Sequence, residues 1–519
     1  MFQGVSLPTY VPLPGPRPDL PGTSQGLDPA YFQFPADLVT SVPQPPGDGS
    51  DVSALGIITQ AAPPAMDQNV AWQAVNKAVG VIFRMTMVAG GDYASKVNTT
   101  IAGSDLPDFL YNANTTPYGV IAALPQFARS RCADLTPYLS GDAVKDYPNL
   151  ANYSTYSWRT GVVDGHIYCV PASRAPFGSV FAYRADIFDQ AGISVGNPPH
   201  DADDFKRLLL AVTRPQSNLF GMAATSTTYF GLNTGSPLLG LFRAPTNWRL
   251  DSSGKLVKDF ETDEYAAAVG YARDLFTAGV YHPNSPTYAG GAPVDSDFRA
   301  GKFAVYATSW GAFLQNWNPL AAANPNGKML PMLPFAHDGG QPVYLAGSGN
   351  FGQTFITQQH SPERVQMLLR IMNFFAAPFG TREWLLNYYG VKDADYTVDA
   401  SGAPTFTQQG RAELSIPWRY ITSPPPALFD PANSKEYATV SYATEQGMLA
   451  ALQLDPTLGL YSGTAFNQGL PAQDTFYSGV SDVVQGRRPL SDLTQLVQGW
   501  RAAAGDKMRA EYQDGLAST

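Results

Sequence analysis

Few residues in this chain are spaced for covalent chemistry. The five histidines, His166, His200, His282, His337 and His360, lie far apart with no HxH or HxxxH spacing. Surface or structural roles are therefore expected for them. Gly22-Thr23-Ser24-Gln25-Gly26 matches GxSxG but lacks the flanking strand and helix of a nucleophile elbow. Gly347-Ser348-Gly349-Asn350-Phe351-Gly352 matches GxGxxG. A dinucleotide site needs a helix N-terminus after that motif, whereas Thr354-Phe355-Ile356-Thr357 reads as strand. A turn between lobes or at a cleft rim is the expectation. The carboxylate pairs Asp203/Asp204 and Asp295/Asp297 sit at helix starts and in polar loops, where capping and solvation account for them. A glycosidase would need two carboxylates brought together across a cleft, and no motif marks such a pair. Cys132 and Cys169 have no CxxC spacing for zinc or redox work. A bridge between them would add about 4 kcal/mol on the chain-entropy model, and two buried free thiols are the alternative.

More informative are aromatics beside amides and hydroxyls at the ends of expected elements. Tyr111-Asn112-Ala113-Asn114 follows a strand, Thr225-Ser226-Thr227-Thr228-Tyr229-Phe230 follows an apolar run, and Trp310 follows the strand at 302–307. In open α/β sheets ligands bind outside the C-terminal ends of strands. Sugar rings pack their C–H faces on aromatic rings and need fixed donors and acceptors for their hydroxyls, so this mixture suits a carbohydrate.

The elements that must position these residues follow from periodicity. Strands are expected at 54–60, 81–88 and 108–111, with helices at Val70–Val79 and 92–102 between them. That alternation implies βαβ units and a mainly parallel sheet. A second series begins near Val180, with helices at 200–212 and 262–276. A helix begins at Ser361-Pro362-Glu363, which supplies a cap, a first-turn proline and a favourable charge. The end of the chain, 490–516, again reads as helix. Two such series imply two lobes with a cleft between them. The first 50 residues carry eleven prolines without hydrophobic periodicity, as in a tether or an extended lead laid on a surface.

Composition narrows the partners. The net charge is −10, charged residues are 15% and no Lys/Arg-rich run occurs, which argues against nucleic acid and anionic lipid. No stretch of 18 apolar residues occurs to span a membrane, and the first residues, without a basic n-region or an apolar h-region, are not expected to be a signal peptide, which leaves the compartment open. Forty-eight glycines and 44 prolines imply many loops rather than a helical bundle.

Across most of 54–519 the sequence resembles the family 1 extracellular solute-binding proteins of ABC importers, in the subgroup that includes alginate-oligosaccharide-binding lipoproteins. The resemblance rests on the order and spacing of several pieces. They include Asp92-Tyr93 with Ser104-Asp105-Leu106-Pro107-Asp108, Asp134-Leu135-Thr136-Pro137-Tyr138 with Tyr147-Pro148-Asn149-Leu150, and Asp164-Gly165 with Val170-Pro171. Further on come Tyr183-Arg184-Ala185-Asp186, Asn247-Trp248, Gly301-Lys302 and Ala377-Pro378-Phe379-Gly380.

The resemblance implies a class II periplasmic-binding-protein fold: two α/β lobes, each a mainly parallel sheet flanked by helices, closing on a ligand by a hinge. It places the lead at 1–51, one lobe at 52–171 and 345–410, and the other at 172–340 and 411–519. It places Asp67 and Asn69 of the loop 64–69, Tyr111, Asn112, Tyr229, Trp310, Ser348 and Asn350 along the cleft. Arg174 is set to bond sugar hydroxyls. Trp158, Phe230 and Trp418 are further positions, or packing residues. Some of the subgroup carry an acidic calcium loop, and 213–221 lacks its carboxylates, so neither a metal nor any other cofactor is expected. The implied role is a non-catalytic, monomeric, extracytoplasmic carrier of a mono- or oligosaccharide to ABC permease subunits. Any membrane contact would come through a lipid anchor on the precursor, and in that compartment a Cys132–Cys169 disulfide is expected. A secreted glycoside hydrolase or lyase is the alternative, and a structural surface protein is a third class.

Overall fold

The computed structural model describes residues 1–517 except 14, 115–118, 196–197, 289, 325, 360 and 433. His360 therefore lies outside the described residues. Among the described residues no helix is long and apolar enough to cross a membrane.

The chain first lays down β1 (Asp51–Ile58), α1 (Val70–Val79), β2 (Ile82–Ala89), α2 (Gly90–Ala102) and β3 (Phe109–Ala113). Local chemistry fixes α1: the Asn69 carboxamide accepts from Trp72 N at 2.8 Å, and Trp72, Val75 and Val79 recur on one buried face. Strand β4 (Cys169–Ser173) then leads across to β5 (Ser179–Arg184). The second lobe adds α3 (Ala202–Val212), β6 (Phe220–Ala223), α4 (Asp263–Thr277), β7 (Phe303–Ser309), α5 (Trp310–Ala323) and β8 (Met329–Pro331). The chain returns as β9 (Asn350–Ile356) and α6 (Pro362–Phe375), and ends through α7 (Ser434–Ala450), α8 (Leu470–Val484) and shorter helices. Ser361 caps α6 from its hydroxyl, as its sequence requires.

Two main sheets result, ordered β2-β1-β3-β9-β4 and β8-β5-β7-β6, beside several two-stranded ones. Strands β1, β2 and β3 are parallel, while β9 is antiparallel to both β3 and β4. In the second sheet β7 and β6 are parallel, and β5 opposes both β7 and β8. Each sheet thus has one strand against its direction, and in each it is the strand by which the chain enters from the other lobe. The mainly parallel architecture follows from βαβ units, and the odd strand follows from crossing over.

Side-chain alternation packs both faces of each sheet. Val52 and Ala54 of β1 with Ile356 of β9 enter one core layer, whereas Leu55, Ile57 and Phe355 enter the other. In β5, Phe181 and Tyr183 face one layer while Val180 and Ala182 face the next. The proline-rich lead runs extended over both lobes. It buries Phe2 and Val5 in the first and Leu27 and Ala30 in the second, and Ala30 pairs with Leu428.

The two crossovers lie side by side. Arg174 N donates to Gly349 O and Gly347 N donates to Pro176 O, both at 2.9 Å, and Phe177 bridges Ala346. Gly349 has φ 69°, and a Cβ there would stand 2.7 Å from the Tyr156 ring, so only glycine fits this turn. The GxGxxG match therefore builds a connection between lobes and runs into strand β9, with no helix N-terminus to cradle a phosphate.

Candidate functional site

A cavity of about 1050 Å³ lies between the two sheets, lined by residues of both lobes. On the first-lobe side it is walled by Asn112 and Asn114 after β3, Tyr156, Thr160, and Ser348, Asn350 and Gln353 of the crossover and β9. These amides form one lattice. Asn350 Oδ1 accepts from Asn114 Nδ2 at 2.8 Å and from Gly352 N at 3.0 Å, while its Nδ2 donates to Thr160 Oγ1 and Ser348 O. Asn112 Oδ1 accepts from Val120 N at 2.9 Å, and its Nδ2 donates to Gln353 Oε1 at 3.1 Å. Tyr156 donates its hydroxyl to Gly347 O at 2.9 Å.

The second-lobe wall is aromatic and acidic: Tyr229, Asn233, Thr234, Asn247, Asp455, Tyr461, Asp474 and Tyr477. Tyr229 and Tyr477 stack with centroids 4.9 Å apart and 23° between planes. The Tyr229 hydroxyl donates to Asp474 Oδ1 at 3.2 Å; burial first, then that carboxylate, raises its pKa. Tyr229 and Phe230 have φ of 48° and 62°, a strained backbone for residues with a Cβ. The hydroxyls of the run 225–228 hold that strain: Thr225 N donates to Thr228 Oγ1 and Thr228 N to Thr225 Oγ1, at 2.9 and 3.1 Å. Asp455 accepts from Asn247 Nδ2 and Thr457 N, each at 2.8 Å, and burial still holds its carboxyl above the ordinary range.

Of the residues singled out from sequence, Asn112, Tyr229, Ser348 and Asn350 line this cavity together. The others lie elsewhere. Asp67 sits exposed in the turn before α1, and Asn69 is buried as the cap of that helix, its amide donating to Glu413 O at 3.0 Å. Tyr111 is buried within the first lobe, its hydroxyl donating to Phe351 O. Arg174 stacks over the Phe351 ring at 4.0 Å, beside a separate cavity of about 390 Å³ under the proline-rich lead.

Trp310 is a correction to the expectation, Phe230 also lies away from the cleft, and Trp158 and Trp418 take the packing role that was the alternative for them. Trp310 is 3% exposed, stacks on Phe313 at 5.2 Å and donates its indole N–H to Glu445 Oε1 at 2.8 Å. Trp158 packs on Tyr153, Trp418 packs among Trp72, Phe83 and Phe375, and Phe230 meets Phe276 and Tyr281 edge-on. All are core. A large ring after a strand serves a platform or a plug equally well by its sequence, and packing on both faces makes these plugs.

The disulfide is also corrected: Cys132 and Cys169 are separate buried thiols. Cys132 pairs with Thr357 and Cys169 with Phe355, two positions apart along one strand direction. At about 3.4 Å per residue that offset is near 7 Å, at the limit of what a disulfide bridges. Burial pushes both thiols well above their usual pKa.

Sequence reasoning missed Tyr156, Asn247, Asp455, Tyr461, Asp474 and Tyr477. A signal existed for one stretch: 455–467 combines Thr, Ser, Tyr and Phe as 225–230 does, with Asp and Gly added.

Comparisons with known proteins follow this geometry. The family model described as bacterial extracellular solute-binding protein matches residues 71–391. Among curated proteins of Bacillus subtilis (strain 168), the chain is 22% identical over 483 residues to the polygalacturonan/rhamnogalacturonan-binding protein YtcQ, covering 90% of this chain and 91% of that one. It is 27% identical to lipoprotein LipO over 223 residues, a match spanning only 41% of either protein. Among solved structures, an HMO-binding, ABC-transporter-associated solute-binding protein from Bifidobacterium longum infantis superposes with a TM-score of 0.65 at 12% identity, covering 91% of this chain and 99% of that one. At that identity the likeness is one of two-lobed fold.

Proposed function

We infer the role of this chain from the family to which it belongs, the bacterial extracellular solute-binding proteins: it binds a glycan outside the cytoplasmic membrane and hands it intact to an ABC importer. One observation carries the reading. The cavity between the lobes pairs stacked tyrosine faces with a lattice of amides and hydroxyls, and its volume of about 1050 Å³ suits several sugar rings rather than one. The polysaccharide-binding name of YtcQ and the transporter association of the Bifidobacterium protein support the same reading.

In this reading the lobes comprise 52–171 with 345–422, and 172–340 with 423–519, and the lead 1–51 braces them from outside; the second boundary moves from the expected 410 because Ile416, Trp418 and Ile421 pack in the first-lobe core. The paired crossovers at 174–178 and 347–349 act as the hinge. Asn112, Ser348, Asn350 and Tyr229 meet the ligand, with Tyr156, Tyr461 and Tyr477 adding ring faces. The protein works as a monomer against permease subunits and is held at the membrane through a lipid on its precursor. A micromolar complex needs only about −8 kcal/mol, within reach of two or three stacked rings and their hydrogen bonds.

Calorimetric titration with a panel of oligosaccharides tests this, combined with product analysis after long incubation. Saturable binding with the glycan recovered unchanged is the expected result. Cleavage of the glycan, or no binding across the panel, would remove the reading.

A further inference from the structure

The charges facing the cavity are all of one sign. Among the described residues its lining carries Asp164, Asp455 and Asp474, and no lysine, arginine or histidine. Asp164 is neutralised at the rim by Arg129. The other two are held by neutral donors: Asp474 by the Tyr229 hydroxyl, and Asp455 by Asn247 and Thr457. Lys258, whose charge reaches Asp455, is buried and ion-paired with Asp259 at 2.5 Å. Two carboxylates thus stand on the second-lobe wall without a cation bonded to them.

We propose that this cavity selects uncharged glycans and rejects those bearing uronate groups. The inference rests on the glycan reading above and adds the chemical class of the sugar. A sugar hydroxyl donates to Asp455 or Asp474 as readily as to any acceptor. A uronate entering the same space meets like charge from Asp474, which is exposed and salt-screened, and from Asp455, with no guanidinium or ammonium in the lining to offset it. The class differs from the one in YtcQ's name, because polygalacturonan carries a carboxylate on each galacturonate.

The test uses matched pairs of oligomers of equal length and linkage, galactan with galacturonan, mannan with mannuronan and glucan with glucuronan, titrated into the full chain at low and high salt. In each pair where binding occurs, the neutral member should bind at least about tenfold tighter, with the gap narrowing as salt rises. Asp474→Asn keeps an acceptor for Tyr229 and should narrow the gap by about threefold. A uronate member that binds as well as its neutral partner overturns the charge inference while leaving glycan binding in place. A gap that ignores both salt and Asp474→Asn overturns its electrostatic origin. If no pair binds at all, the glycan reading falls and this inference falls with it.

Discussion

On the first-lobe wall of the cavity, Asn112, Asn114, Asn350 and Gln353 are bonded to one another and to the loops beside them. On the facing wall Tyr229 and Tyr477 stack as a pair, with Asp474 at the edge, on a backbone strained at Tyr229 and Phe230. The first wall behaves as a scaffold: removing one amide leaves several partners unsatisfied. The second behaves as a contact surface at Tyr229, whose hydroxyl bonds only the exposed Asp474, whereas Tyr477 beneath it is buried and accepts from Thr234 N at 3.1 Å. The two walls therefore fail in different ways, and mutation separates them.

The largest expected effect lies off both walls and calibrates them. Trp310→Ala opens a cavity in the second-lobe core and strips Glu445 Oε1 of its donor, costing about 3–5 kcal/mol. Thermal unfolding should register that loss, while the folded fraction binds its glycan within about threefold of the parent. A tenfold weaker complex at unchanged Tm would return Trp310 to the site.

Asn350→Ala comes next. It deletes the hub of the amide lattice, at about 2–3 kcal/mol. Stability and affinity should fall together, measured by unfolding and by titration on the same preparation. Affinity lost alone would leave Asn350 a ligand contact without the scaffold role.

Tyr229→Ala should do the reverse. We expect Kd to rise by about tenfold, equivalent to about 1.4 kcal/mol, with Tm within about 2 °C of the parent. Tyr229→Phe should recover most of the loss, since the ring face rather than the hydroxyl is the contact. Equal losses for both variants would shift the role to the hydroxyl and Asp474.

The smallest effect probes the surroundings of Trp310 by pH. Asp28 of the lead donates its backbone N–H to Glu445 Oε2 at 2.9 Å. Burial, together with the neighbouring carboxyl, holds Asp28 well above the ordinary range, and burial pushes Glu445 up to about 8. Raised folded pKa values mean the native state binds protons more tightly than the unfolded chain. The pair's stability contribution is therefore present at acid pH and is lost as pH climbs from about 4 to 8. Asp28→Asn, which removes one of the two charges, should flatten Tm against pH over that window by about 2 °C relative to the parent. Identical slopes would show that the pair does not titrate in the window.

Local chemistry explains what was readable in advance. Helix α6 was legible because cap, proline, acid and apolar spacing all occur within one stretch, 361–375. Helix α1 was legible from the apolar spacing of Trp72, Val75 and Val79, without a first-turn proline or acid. Asn112, Ser348 and Asn350 were reachable because strand ends and glycine turns announce themselves nearby. Tyr477 was not, since it lies on α8 and meets Tyr229 only after 248 residues of chain have folded back. Trp310 was misjudged because exposure is a property of both faces of a ring, and its second face is covered by Phe313, from its own helix, with Glu445 of α7 on the indole nitrogen.

By itself the sequence determined the alternation of strands and helices, the two-lobed plan and the low charge that disfavours polyanionic partners. Those depend on periodicity, capping and composition, which act over a few residues or over the whole chain at once. Only the tertiary structure decided which aromatic rings face the cavity, which asparagines are already occupied, and that Asp455 and Asp474 stand there without a bonded cation. Those properties depend on contacts between segments hundreds of residues apart, and such contacts exist only once both lobes have closed around the crossover.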